Sequence, residues 1–167
     1  MSGNVINIEK VEGFQRIPEG SKKFGATIAP IADRVGLSDL GCMLLTVEPG
    51  RRAFPYHNHV GNDEMFVVLE GQGTYRLGEA EFPVKPGDIC GAPRGGRETA
   101  HQLINTGDAP LKYLAISTRN DPDVVEYPDS GKFAAIAIFP GSDFMNAHLR
   151  FVGRTSSQVD YFDGEDM

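Results

Sequence analysis

The sequence predicts an all-β fold: a single closed barrel or jelly roll of short strands, with an arm at each end. Three observations point that way. Twenty glycines and eleven prolines are spread along the 167 residues and do not gather in a linker. They cut the chain into segments of about five to eight residues, the length of strands. Several segments, CMLLTV and MFVVLEG among them, are apolar on both alternating faces, so one face can fill a barrel interior while the other packs on a second layer or a partner.

In chain order, residues 1–39 form an N-terminal arm that packs on the barrel. They contain one expected strand, 5–11, and then a looser stretch, SKKFGATIAPIADRVGLSDLG, where Pro30 and the glycines argue against a long helix. Residues 40–118 carry the barrel core, with strands expected at 42–47, 52–57, 64–69, 73–77, 81–84, 88–92, 100–105 and 111–118. Breaks fall at Glu48-Pro49-Gly50, Glu70-Gly71-Gln72-Gly73, Lys85-Pro86-Gly87 and Thr106-Gly107-Asp108. Each Pro-Gly pair suits a tight turn, because proline presets φ and glycine accepts a positive one. Residues 119–167 make a C-terminal extension: NDPDVVEYPDSGK reads as a polar loop, AAIAIF as an apolar patch, and YFDGEDM as an acidic end. Both arms are expected to wrap the barrel or cross to a neighbouring subunit.

Composition removes several classes of function. The net charge is −7 and no stripe of Lys and Arg would meet several phosphates at once, which argues against nucleic acid. No apolar run reaches membrane-spanning length, and the start MSGNVINIEK lacks the basic and apolar regions of a secretory signal. Cys42 and Cys90 lie far apart and outside any CxxC pattern, as reduced core thiols do. A cytoplasmic protein with no membrane partner is expected.

The chemistry concentrates at HNHVGNDE, residues 57–64. His57 and His59 are two apart, and on an extended strand residues i and i+2 point to the same side, so both imidazoles can converge. Glu64 follows a loop long enough to bring its carboxylate back beside them, while Asp63 points the other way. His101, opening the apolar run HQLIN after the turn Pro93-Arg94-Gly95-Gly96-Arg97, offers a fourth donor. Three imidazoles and a carboxylate suit one divalent ion such as Zn, Mn, Fe, Ni or Co, with one or two positions left open. An HxH pair alone is also what a polar surface loop contains.

Two longer stretches set the pair in context: GRRAFPYHNHVGNDEMFVVLEGQG and GDICGAPRGGRETAHQLIN. Together they resemble the two motifs of the cupin superfamily. Gly50, His57, His59, Glu64 and Gly71 match the first, with one extra residue before His57. Gly87, Pro93, Gly95, His101 and Asn105 match the second, with a longer gap, including Arg97, between Gly95 and His101. The intermotif stretch 72–86 is short, as in small single-barrel microbial members. The resemblance covers roughly residues 40–118. It implies a double-stranded β-helix barrel holding a metal at His57, His59, Glu64 and His101, and many cupins are homodimers.

Cupins include sugar-phosphate isomerases and epimerases, dioxygenases, decarboxylases and non-catalytic binding domains, so the fold alone does not choose. Arg51, Arg94 and Arg97, with Arg52, flank the ligands in sequence, and guanidinium groups at a pocket mouth favour a carboxylate or phosphate. Phe66 lies on the side of Glu64 and lines the pocket with Val68 and Leu103. Tyr113 offers a phenol for acid–base work. His148 lies outside both motifs and is expected at the surface or a subunit contact. These features favour a metal-dependent enzyme of the isomerase or epimerase type acting on a small, oxygen-rich, anionic molecule. A metal-dependent dioxygenase and a small-molecule-binding cupin without turnover are the alternatives. No helix pair ahead of the barrel suggests a DNA-binding regulator.

Overall fold

Alternating burial of short strands builds the structure, a computed structural model that describes residues 4–139 and 146–166. In chain order the strands are β1 (Phe14–Arg16), β2 (Ala26–Pro30), β3 (Leu40–Val47), β4 (Asn58–His59), β5 (Glu64–Glu70), β6 (Gly73–Leu77), β7 (Ala80–Val84), β8 (Ile89–Ala92), β9 (His101–Ile104), β10 (Leu111–Thr118), β11 (Asp123–Tyr127), β12 (Lys132–Ala137) and β13 (Leu149–Gly153). Their ladders fall into three sheets, ordered β1-β2-β3-β10-β5-β8, β13-β12-β11-β4 and β7-β6-β9. The architecture is thus mostly β, as expected.

Period-2 burial fixes which residues face inward. On β10, Leu111, Tyr113 and Ala115 are buried between the β3 and β5 ladders, and on β5 Phe66 and Val68 are buried beside them. Leu45, Val47, Tyr75, Val84, Cys90 and Leu103 complete one apolar core, in which the Phe66 and Tyr75 rings lie 6.0 Å apart. The Tyr75 hydroxyl donates to the Gly91 carbonyl at 2.8 Å, tying the three-stranded sheet to β8. Pro83 is tolerated because β7 is a sheet edge, where a missing N–H leaves no ladder bond unmade.

Two motif residues prove to be structural. Asn105, fully buried, donates to Val47 O at 2.7 Å and Ala109 O at 2.9 Å and accepts from Gly107 N–H at 3.0 Å, so it pins the turn into β10. Gly71 turns the chain at φ +78°, and a Cβ there would collide with the Pro110 carbonyl.

Four expectations for the elements need correction. Residues 5–11 form no strand: a short 3-10 turn, Ile8–Lys10, is capped by the Asn7 side chain accepting from Glu9 N–H at 2.8 Å, and it buries nothing. The stretch after it is more ordered than its glycines suggested, since β2 pairs with β3 and sends Ala26 and Ile28 into the core. Residues 52–57 make no continuous strand. Pro55 has no N–H to donate, and pairing is reduced to isolated bridges, Phe24 with Arg52 and His57 with His101. The segment read as a polar loop after residue 119 contains β11, paired with β4 on one side and β12 on the other. Its alternate residue Val125 is buried at 4% exposure, so tertiary pairing overrides the flanking prolines and acids.

Candidate metal centre

Four elements bring the donors together. His57 bridges to His101 through reciprocal backbone hydrogen bonds of 3.2 and 2.8 Å, which sets the start of β9 against the HxH segment. β4 carries His59, and β5 opens with Glu64. One ligand atom each from His57, His59 and Glu64 lies within 4.8 Å of the other two. His101 joins through Glu64, its Nε2 standing 2.8 Å from Oε2. The longer gap before His101 does not displace it, because the added residues coil into a 3-10 turn, Arg97–Thr99.

The outer nitrogens bear on what the inner ones present. His57 Nδ1 lies 2.7 Å from the Pro55 carbonyl, His101 Nδ1 lies 3.2 Å from the Thr99 carbonyl, and His59 Nδ1 lies 2.6 Å from Asp123 Oδ2. A carbonyl or carboxylate only accepts, so each Nδ1 carries a hydrogen; Nε2 either carries a second one, donated to Glu64, or in the neutral ring turns a lone pair inward that an ion can use. Those three Nε2 atoms surround one oxygen, Glu64 Oε2, at 3.6, 3.6 and 2.8 Å. With the rings neutral, four electron-pair donors converge on one place. A proton relieves one pair of them, whereas a divalent cation relieves all four, so the residues fit a metal ion.

Electrostatics follow from this packing. Burial lowers the basicity of His57, only partly offset by its hydrogen bond to Glu64. Burial acts on His59 in the same sense, but the hydrogen bond to Asp123 and the charges of Glu64 and Asp123 outweigh it and raise the ring. Burial would also raise Glu64, yet hydrogen bonds from His101 and His57 hold its carboxyl well below the usual range.

Asp123 went unnoticed in the sequence. It lies on β11, in the C-terminal extension, and accepts from Gly61 N–H at 3.0 Å as well as from His59. The same strand supplies Glu126, which accepts from Asn58 Nδ2 at 3.1 Å between the two histidines, and Tyr127, whose ring stacks on His57 at 6.2 Å. A DVVEY pattern, with branched residues between the acids, was the available strand signal.

A cavity of about 40 Å³ opens beside the donors, lined by His57, Glu64, Phe66, His101, Tyr113 and Phe54 among others. The Phe66 ring there lies 5.4 Å from that of His101. Tyr113 is buried at 2% exposure, and its hydroxyl has no hydrogen-bond partner among the described residues. Burial, followed by the Glu64 charge, pushes its phenol up, so it stays protonated and is a donor in the resting site, not a base.

The flanking arginines do not line this cavity. Arg51 turns back to donate to Phe24 O at 3.1 Å. Arg94 is exposed, and its backbone N–H donates to Asp63 Oδ1 at 2.8 Å, which also accounts for Asp63 pointing away from the donors. Arg97, 71% exposed, faces Glu126 at 3.9 Å. Arg52 lies over the Phe24 ring at 5.7 Å. Closeness in sequence did not fix their direction, because each sits on a loop where the backbone turns between neighbours. His148, exposed, stacks on Phe139 at 4.3 Å and is not among the residues lining the cavity.

Residues 43–117, which carry all four donors, match the family model of the cupin domain. That stretch of the chain, a little under half of it, is a cupin domain. Among solved structures this cupin is similar to a candidate sugar phosphate isomerase from Acidithiobacillus ferrooxidans, with a TM-score of 0.77 and 25% identity over 94% of this chain and 96% of that one. It is 33% identical over 60 residues to the oxalate-binding protein of Thermotoga maritima, covering 36% of this chain and 47% of that protein. It is 38% identical over 66 residues to glucose-6-phosphate isomerase of Pyrococcus abyssi, covering 36% of this chain and 33% of that enzyme. The matched part of the cupin thus spans half or less of the length of these curated relatives.

Proposed function

We propose that this cupin is a metal-dependent enzyme that interconverts isomers of a small sugar phosphate or a similar oxygen-rich anion. The observation that carries the reading is the convergence of three Nε2 atoms and Glu64 Oε2 beside a cavity whose one buried phenol, Tyr113, has no partner among the described residues. His57, His59, Glu64 and His101 would hold the ion, which when bound supplies Lewis-acid polarisation of adjacent carbonyl and hydroxyl oxygens. Tyr113 donates a hydrogen bond to a substrate oxygen in the cavity, and Phe66 keeps water from that side. The similarity to a candidate sugar phosphate isomerase and to a glucose-6-phosphate isomerase supports the substrate class.

The same reading takes a homodimer in the cytoplasm as the working form. The net charge of −7 supports the absence of a nucleic-acid partner, and no helix among the described residues is long and apolar enough to cross a membrane. A binding role without turnover is the second reading, favoured by the similarity to an oxalate-binding protein. Metal analysis followed by a sugar-phosphate interconversion screen and an oxygen-uptake assay separates these. Interconversion without oxygen uptake is the expected result. Oxygen consumption coupled to substrate loss would make the chain a dioxygenase, and saturable oxalate binding with no product would favour the binding role.

A further inference from the structure

The inner cavity, about 40 Å³, accepts an ion and one or two waters but not a whole sugar phosphate, since small-molecule pockets run to roughly 300–1,000 Å³. The charged end of a substrate whose oxygens reach the donors must therefore stay outside, against whatever surrounds the mouth. The arginines next to the ligands in sequence are turned elsewhere. Other cations lie behind the ring that stacks on His57.

Tyr127, stacked on His57, is paired in register with Lys132 across the β11–β12 ladder. Residues opposite each other in a ladder share a face, and on this one the next pair, Val125 and Ala134, is buried at 4% and 1%. Lys132 is thus held on the inward side, half-buried, with Nζ 5.0 Å from the centre of the Tyr127 ring. One aromatic ring separates it from a metal-donor histidine. Arg154 lies alongside, donating to the Ser130 carbonyl two residues before Lys132. Neither of these two cations meets a carboxylate among the described residues, although the chain has an excess of seven acidic charges.

We propose that Lys132, with Tyr127 beneath it and Arg154 at its rim, is the anchor for the phosphate end of the substrate. The proposal rests on the metal-dependent reading above and assigns the subsite that reading needs. The ammonium brings three donors and a full charge, the Tyr127 hydroxyl brings a donor with no partner among the described residues, and the Arg154 guanidinium matches the geometry of phosphate oxygens. The ring face of Tyr127 holds the ammonium in place when no anion is present.

The test uses the full chain as purified and inorganic phosphate as the probe, titrated by calorimetry at low salt. Saturable binding is expected, weakened by tenfold or more in Lys132→Ala, partly retained in Lys132→Arg, and unchanged in Arg94→Ala. Metal content should be the same in all four proteins. Phosphate binding as tight in Lys132→Ala as in the parent would overturn the proposal, and so would saturable oxalate binding that depends on Lys132 with no phosphate binding. A parent chain without metal would instead overturn the metal-dependent reading, a result read from metal content and not from the titration.

Discussion

Asp123→Asn should weaken metal binding by about 10–100-fold, the usual loss when the outer partner of a ligating histidine is changed. The size follows from a count of donors and acceptors. Asp123 receives two hydrogens, from His59 Nδ1–H at 2.6 Å and Gly61 N–H at 3.0 Å, with its side chain 11% exposed. An asparagine has one acceptor oxygen and a donor amide, so one of the two hydrogens must face another donor. If His59 is the one abandoned, its tautomer is no longer fixed and Nε2 presents a lone pair only part of the time. A tenfold loss corresponds to about 1.4 kcal/mol, within what one charge-assisted hydrogen bond contributes. Competition for zinc against a chromophoric chelator at fixed pH reads the affinity, and circular dichroism of each variant confirms that the fold is retained. Asp123→Ala, which removes both acceptors, should lose at least as much. Affinities of both variants within twofold of the parent would refute the reasoning, because Asp123 would then have no part in presenting His59.

Other expectations follow from the same geometry. Tyr113→Phe leaves no hydrogen-bond partner stranded among the described residues, so metal content and melting temperature should hold while turnover of the isomerised substrate drops by about 10² or more; equal turnover would remove Tyr113 from the chemistry. Gly71→Ala should destabilise the chain by more than about 2 kcal/mol in urea unfolding, since φ +78° and the Pro110 carbonyl both exclude a Cβ, and a cost under about 0.5 kcal/mol would contradict the turn geometry. In the metal-free chain, Glu64 and Asp123 have carboxyls lowered by folding, so their stabilisation is complete above the unfolded values of about 4 and is lost as pH falls through that range toward their folded values. Urea midpoints should thus fall steeply below about pH 4, and the fall should flatten in a Glu64→Gln variant.

The core strands were legible because their signal is local. Alternation along β5 and β10 and the Pro-Gly turns between them suffice to place Phe66, Tyr113 and Glu64, and the two-residue spacing of His57 and His59 puts both rings on one side whatever the rest of the chain does. What the sequence did not reveal depends on contacts between distant segments. DVVEY is a strand because β4 and β12 pair with it, and only that pairing carries Asp123 to His59. Residues 5–11 alternate like a strand but find no ladder partner, and the Asn7 cap takes over. The arginines show the same limit from another direction: Arg51 sits six residues before His57, yet its guanidinium reaches the Phe24 carbonyl behind it. Lys132, far from both motifs in sequence, comes within one ring of His57.

The central claim is that His57, His59, Glu64 and His101 hold an ion. Elemental analysis of the purified parent chain beside His59→Ala tests it most directly, since the remaining donors sit on separate elements and cannot make up for the lost imidazole. About one equivalent of a divalent transition metal is expected in the parent, and well under half of that in the variant, with the fold intact in both. A parent chain that holds no such metal after growth in supplemented medium, or a variant that holds as much as the parent, would contradict the account.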